Sequence, residues 1–143
     1  MILFFLLGAV IVAVLLTAGF YVFSAYVMFR IGDKFLIGTF REYLIPVHNV
    51  MLMCDCAGIT RFTAVLMLLP PAAAFIMYIF APGAAGYALC CAAALFSLSW
   101  ICLWGSVAAR LGKNFWLWGV MSLFSGGIPV LFLAFDSSLP ERR

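Results

Sequence analysis

The chain has 143 residues, of which 68% are apolar and 9% charged, with eight Lys or Arg against five Asp or Glu. Soluble domains carry about 45–50% apolar and about 25% charged residues, so no soluble fold could bury this composition. The basic residues are spread over several loops, which argues against a nucleic-acid partner. We therefore predict an all-α integral membrane protein in which residues 1–143 form a single membrane domain.

Four apolar runs follow one another along the chain, and no charged residue lies inside any of them. We place the predicted spans at residues 2–29, 62–80, 86–109 and 115–135. At about 1.5 Å per residue, each run can cross a hydrocarbon core of about 30 Å. The first run has no basic segment before it and exceeds the ~7–15 residues of a signal-peptide core, so we expect a retained anchor.

Two of the predicted spans contain helix-breaking residues. Pro70-Pro71 is expected to kink the second span. The sequence Ser125-Gly126-Gly127-Ile128-Pro129 interrupts the fourth, because the proline removes a backbone donor and the glycines add flexibility. We expect a kinked crossing there, with a re-entrant half-helix as the alternative.

The basic residues outside the spans predict the orientation. Arg30, Lys34, Arg41 and Arg61 follow the first span, and Arg110 and Lys113 follow the third. By the positive-inside rule these segments face the cytoplasm, next to the anionic inner leaflet, and the N-terminus lies outside. Four crossings would also place the C-terminal Arg142-Arg143 outside, against the rule, but six basic residues outweigh two.

Residues 30–61 are predicted to form a cytoplasmic amphipathic helical hairpin. A first helix over residues 34–45, with Asp33 as its N-cap, would gather its apolar side chains within an arc of about 120°. Lys34 and Arg41 would lie on its polar face. Such a helix either rests on lipid headgroups or packs on its own bundle, and the pattern leaves both readings open.

Pro46 and Gly58 mark the start and the end of a second predicted helix, residues 47–57. His48, Asn49, Asp55 and Cys56 would share one polar side of it. His48 and Asp55 are seven residues apart, about 10 Å along the axis, so we expect no hydrogen bond between them.

No motif indicates catalysis, a cofactor or a metal. Cys54 and Cys56 are two residues apart on a helix and point about 200° away from each other, which does not suit a zinc site. His48 is the only histidine and cannot supply both axial ligands of a haem. The extramembrane Ser137 and Ser138 are predicted on the side opposite to the lysines, so a Ser/Lys dyad would need another topology.

The spans contain features of helix packing rather than of ion transport. Proton and ion pathways use ionisable residues inside spans, and here serine and threonine are the only polar side chains there. Gly105 and Ala109 give a small-xxx-small spacing, which serves helix association within the bundle or with a partner subunit. All four tryptophans, Trp100, Trp104, Trp116 and Trp118, are interpreted as anchors at the cytoplasmic interface.

Several short motifs resemble an uncharacterised bacterial family of small multi-span membrane proteins. The family carries Ile-Pro-x-Tyr-Asn soon after the first span, which corresponds to Ile45-Pro46-Val47-His48-Asn49 with His48 in place of the tyrosine. The other matching stretches are Ala57-Gly58, Arg110-Leu111-Gly112-Lys113, and Ile128-Pro129 through Ala134-Phe135. Some members are fused or adjacent to signal peptidase I and carry its label. This chain has no recognisable Ser/Lys peptidase domain, so the peptidase activity is not carried over to it. The resemblance implies a bacterial inner membrane protein and gives no mechanism.

The sequence favours a non-catalytic accessory or scaffold subunit of a larger membrane complex. An oligomeric transporter or channel for small solutes is the alternative, and a membrane enzyme is a third. The candidate contacts with lipid or with a partner are Lys34, Arg41, His48, Asn49, Gly105 and Ala109.

Overall fold

A computed structural model describes residues 1–140, apart from the side chains of Ile2, Leu3, Phe5, Pro82, Ala84 and Ala85. Within this part of the chain every regular element is a helix, which confirms the predicted all-α class. The helices are α1 (Ile2–Lys34), α2 (Phe40–Tyr43), α3 (Pro46–Ala57), α4 (Phe62–Phe80), α5 (Pro82–Arg110), α6 (Phe115–Phe124) and α7 (Ile128–Phe135).

Three helices are long and apolar enough to cross a membrane, over Leu6–Lys34, Phe62–Phe80 and Gly86–Arg110. They correspond to the first three predicted spans. Helices α4 and α5 form an antiparallel hairpin with the most extensive packing in the molecule. Pro70 and Pro71 lie inside α4, and the helix continues through both of them.

The predicted fourth span is wrong, because residues 115–135 form two short helices. Helix α6 ends at Phe124 and α7 begins at Ile128. Gly126 and Gly127 between them have φ angles of 63° and 91°, a left-handed conformation that glycine adopts without steric cost. At about 15 Å and 12 Å, neither helix can cross a core of about 30 Å.

The two short helices form a re-entrant hairpin. Lys113, just before α6, makes an ion pair with Asp136, just after α7. The Lys34 ammonium at the end of α1 also donates to the Leu133 carbonyl, at 2.7 Å, and to the Asp136 carbonyl. The chain therefore enters and leaves this hairpin at the same end of the bundle, so the kinked crossing that we expected is replaced by its alternative.

We call this end of the bundle, with residues 30–61, 110–114 and 133–140, the charged end, and the opposite end the far end. The expectation that the C-terminal side of the chain lies with the N-terminus is corrected, since residues 136–140 lie at the charged end. Arg142 and Arg143 lie outside the described residues.

The predicted amphipathic helix over residues 34–45 is also wrong. Helix α1 continues to Lys34, and the chain then turns through Leu36 and Gly38, whose φ angles are 58° and 77°. The four-residue α2 starts after Thr39, whose backbone N–H donates to Glu42 Oε2 at 2.6 Å. The Tyr43 hydroxyl closes the loop by donating to the Ile37 carbonyl at 3.0 Å.

The second predicted helix is confirmed as α3. Pro46 occupies its first turn, where backbone N–H groups have no partner within the helix, so a proline there loses no hydrogen bond. Gly58 ends the helix with a φ of 70°. Seven of its residues are buried: Asn49, Val50, Leu52, Met53, Cys54, Cys56 and Ala57. Helix α3 thus packs into the charged end rather than resting on its surface.

The hydrophobic core lies near the charged end. It joins the last part of α1 to α2, α3, α7 and the last part of α5, with Ile31, Tyr43, Met53, Trp104 and Leu133 fully or almost fully buried. By contrast, every described side chain of residues 1–20 is exposed. We call residues 1–20 the free half of α1.

Candidate functional site

Arg110 joins the end of α5 to the end of α3. One Nη atom of its guanidinium donates to the carbonyls of Asp55, at 3.2 Å, and Cys56, at 2.8 Å. These carbonyls belong to the last turn of α3, which carries partial negative charge, and the Asp55 carbonyl also accepts from the Gly58 N–H at 3.1 Å. The guanidinium also lies 5.3 Å from the centre of the Phe35 ring. Arg110 therefore acts as a C-terminal cap supplied from a distant part of the chain.

Lys34 caps the C-terminus of α7 in the same way. The Lys34 ammonium donates to two carbonyls at the C-terminus of that helix. We predicted Lys34 as a contact for lipid or a partner. In the structure its side chain is half-buried, and two of its three donors are used within the chain.

Two ion pairs complete the connections at the charged end. Arg61 donates to both oxygens of Asp55, at 3.1 and 2.9 Å, and this contact raises the pKa of the guanidinium. Lys113 pairs with Asp136 and lies 5.1 Å from the centre of the Trp118 ring. The hydrogen bond from Lys113 lowers the pKa of the Asp136 carboxyl below its usual value. The Asp136 carboxyl is thereby held in its charged form.

The cysteines of α3 are buried and not arranged for chemistry. Burial raises the pKa of Cys56 to about 11 and also raises that of Cys54. A neutral thiol is a poor nucleophile and a poor metal ligand. The nearest polar neighbour of the Cys56 sulfur is the Tyr43 hydroxyl, at 3.9 Å. Among residues 1–140, no group of three or more His, Cys, Asp or Glu could hold a metal ion.

The predicted polar side of α3 is not a solvated face. Asn49 and Cys56 are buried, and His48 and Asp55 are half-buried. The side-chain oxygen of Asn49 is buried and has no hydrogen-bond partner among the residues that the structure describes. Asn49 is therefore corrected from a surface contact to a core residue, while half-buried His48 still reaches the surface.

The remaining predicted contacts divide in the same way. Gly105 is buried, and a Cβ atom placed there would lie 2.8 Å from the Phe115 ring, so its small size serves packing of α5 on α6. Ala109 and Arg41 are exposed. Of the six predicted contacts, Arg41, His48 and Ala109 remain accessible to lipid or to a partner, and half-buried Lys34 keeps one donor that the chain does not use.

The tryptophans are not all interfacial anchors. Trp104 is 1% exposed, and its ring packs edge-on against Trp100 at 5.8 Å. The indole nitrogens of both residues are buried and have no hydrogen-bond partner in the described part of the chain. Trp116, which is 70% exposed, keeps the predicted character of an anchor. The sequence contained no signal that separated these two situations.

The structure also shows cavities that the sequence did not indicate. One of about 410 Å³ lies between α1, α5 and the tip of the re-entrant hairpin, lined by residues that include Phe23, Trp100 and Gly127. Another of about 490 Å³ lies at the base of that hairpin, between Lys113, Asp136 and the aromatic rings of Trp118, Phe132 and Phe135. The third, of about 740 Å³, lies between α4 and α5.

Comparisons with protein-family models, with curated proteins and with solved structures found no match for this chain. The resemblance to a bacterial family of small multi-span membrane proteins stays a prediction.

Proposed function

We propose that this protein is a non-catalytic accessory or scaffold subunit, and that it binds a larger membrane assembly through the free half of α1. The observation that carries the proposal is the exposure of this half-helix. None of the most apolar part of α1 is buried, against 17% and 28% of the corresponding windows in α4 and α5. The charged end then serves as the base that holds this helix in position.

The surface of the free half suits another helix. A shallow groove runs along one face of it, with Gly8, Ala9 and Ala13 at its floor and Phe4 and Leu16 at its ends. Small residues at this spacing let a second helix approach closely, which strengthens dispersion contacts in lipid. The occupant that we propose is a transmembrane helix of a partner subunit.

The use of the charges supports a structural role. Arg61, Arg110, Lys113 and Lys34 each bind a carboxylate or a helix C-terminus of the chain itself. Such contacts connect helices and leave no ionisable group placed along a path through the bilayer. They favour a rigid platform over a proton or ion carrier.

We further propose a bacterial inner membrane location with the charged end in the cytoplasm. Arg30, Lys34, Arg61, Arg110 and Lys113 belong to that end, as does Arg41 on α2. The positive-inside rule then places the N-terminus outside, and the inner leaflet provides anionic lipid next to these residues.

The test is purification of the protein from native membranes in mild detergent, with the co-purifying proteins identified by mass spectrometry. The variant Ala9→Phe/Ala13→Phe fills the groove and should release a defined partner. The control Ile11→Phe/Leu15→Phe places two phenylalanine rings about 200° around the helix, at exposed positions of nearly the same height, and should retain it. Recovery of the unmodified protein without any stoichiometric partner, or equal release by both variants, would refute the proposal.

An oligomeric transporter is the second candidate, favoured by one observation. The broken helix places Gly126 and Gly127 beside the cavity of about 410 Å³, and transporters use such breaks to expose backbone groups. Solute flux in proteoliposomes that contain only this chain, lost in Gly127→Ala, would support this candidate.

A further inference from the structure

Three cations, Arg30, Lys34 and Lys113, lie at the base of the re-entrant hairpin, and within residues 1–140 Asp136 is the carboxylate that pairs with them. Lys34 and Lys113 both contact Asp136 or its backbone carbonyl. Arg30 is one helical turn before Lys34 on α1, and its guanidinium lies 6.0 Å from the centre of the Phe135 ring. Arg30 and Lys113 are close enough to Lys34 for their charges to act on it. The site therefore keeps an excess of two positive charges.

Donors remain unused in this cluster. The Nε atom of Arg30 is buried and has no hydrogen-bond partner within residues 1–140. Arginine offers five N–H donors in a planar fork that matches phosphate oxygens. Lys34 gives two of its three donors to carbonyls, which leaves a third. A bound anion would offset the repulsion among these cations and would stabilise this arrangement.

An apolar cavity adjoins the cations. The space of about 490 Å³ between α6 and α7 has Lys113 and Asp136 at one side, and Trp118, Leu131 and Phe132 form most of its remaining wall. Phe135 belongs to this wall and also carries the Arg30 contact, so it connects the two parts of the site. Phe132 and Phe135 are 64% and 54% exposed, as expected of side chains that meet lipid.

We propose that this site binds one anionic phospholipid of the leaflet at the charged end. The phosphate accepts hydrogen bonds from Arg30, Lys34 and Lys113, and an acyl chain lies along Trp118 and Phe132 between the two short helices. Cations beside an apolar cavity suit a phospholipid, whose headgroup and acyl chain contact both parts of the site. A soluble phosphate would contact only the cations. The site is independent of the free half of α1 and of the partner proposed there.

The test is native mass spectrometry of the full-length protein in mild detergent, titrated with phosphatidylglycerol or phosphatidylcholine. Phosphatidylglycerol should bind with a stoichiometry of one and more tightly than phosphatidylcholine. Arg30→Gln should lower its affinity about fivefold or more, and Arg41→Gln, which removes an exposed cation of the same end, less than about twofold. Equal losses in the two variants would mean diffuse attraction and would overturn the site.

A second variant separates a specific site from net charge. Lys113→Gln/Asp136→Asn removes one cation and one carboxylate, so the total charge is unchanged while one phosphate ligand is lost. The site predicts weaker phosphatidylglycerol binding in this variant, whereas diffuse attraction predicts no change. Glycerol 1-phosphate at the same concentration should not compete. If it competes as well as the lipid does, the ligand is a soluble phosphate and the lipid assignment is wrong.

Discussion

From Tyr21 to Lys34, α1 packs against α2, α3 and α7, whereas every described side chain from Met1 to Phe20 is exposed. Both parts belong to one unbroken helix, and both are mainly apolar as far as Phe29. They differ in what the rest of the chain brings to them. Tyr43 and Phe40 reach the Phe29 ring at 6.0 and 5.7 Å, and Lys34 reaches α7. The hydropathy of a helix determines whether it can lie in a membrane. Contacts from distant segments of the chain determine whether it also packs against the rest of the protein.

The largest expected effect is in cysteine labelling, which shows on which side of the membrane the chain leaves the re-entrant hairpin. In a background without native cysteines, a cysteine at Ser137 should be labelled by a membrane-impermeant reagent from the same side as one at Arg41. A cysteine at Gly83 should be labelled from the opposite side. The result is all-or-none, because three crossings and four crossings place Ser137 on different sides. Labelling of Ser137→Cys together with Gly83→Cys would restore the continuous fourth span.

A pair of glycine substitutions compares the two parts of α1 directly. A Cβ atom at Gly32 would lie 1.9 Å from the Tyr43 hydroxyl, whereas one at Gly8 would meet nothing within 4 Å. Gly32→Ala should destabilise the fold by about 1–3 kcal/mol through overpacking. Gly8→Ala should leave stability unchanged or raise it slightly, because alanine favours helix more than glycine does. Thermal unfolding in detergent measures both, and equal effects would contradict the difference in packing.

The smallest effect concerns the ion pair at the base of the hairpin. The pKa of Asp136 is lowered by the Lys113 hydrogen bond, so the pair contributes stability above the ordinary carboxyl pKa of about 3.8. This contribution is lost as the pH falls through the lowered value. Asp136→Asn should therefore be less stable than the unmodified protein at pH 7, and the difference should shrink as the pH falls below about 3.8 and through the lowered pKa. A difference that persists at low pH would assign Asp136 a role that does not depend on charge.

Much of the helical content could be predicted from local patterns. The long apolar runs identified α1, α4 and α5, and the Pro46 and Gly58 signals gave α3 at both ends. Each of these features acts within a few residues of itself, so the chain reveals it without tertiary information.

The errors came from contacts between distant residues. Residues 115–135 are apolar enough for a span, and only the pairing of Lys113 with Asp136 shows that the chain returns. Residues 34–45 have a helical pattern, yet Tyr43 packs beside Gly32 and holds the intervening loop in its turn. Arg110 and Lys34 look like surface cations in sequence. Their roles as helix caps depend on segments 54 and 99 residues away.

The re-entrant hairpin also changes what membrane insertion demands of this chain. Lys113 and Asp136 stay on one side, so neither charge has to be moved through hydrocarbon, which would cost about 2.5–3.5 kcal/mol each at the centre of the bilayer. In the orientation proposed above, the segments of residues 1–140 that a translocation machine has to pass are the start of α1 and the short turn between α4 and α5. The apolar residues 115–135 can then enter the membrane after synthesis, from the side on which they were made, by folding against α5.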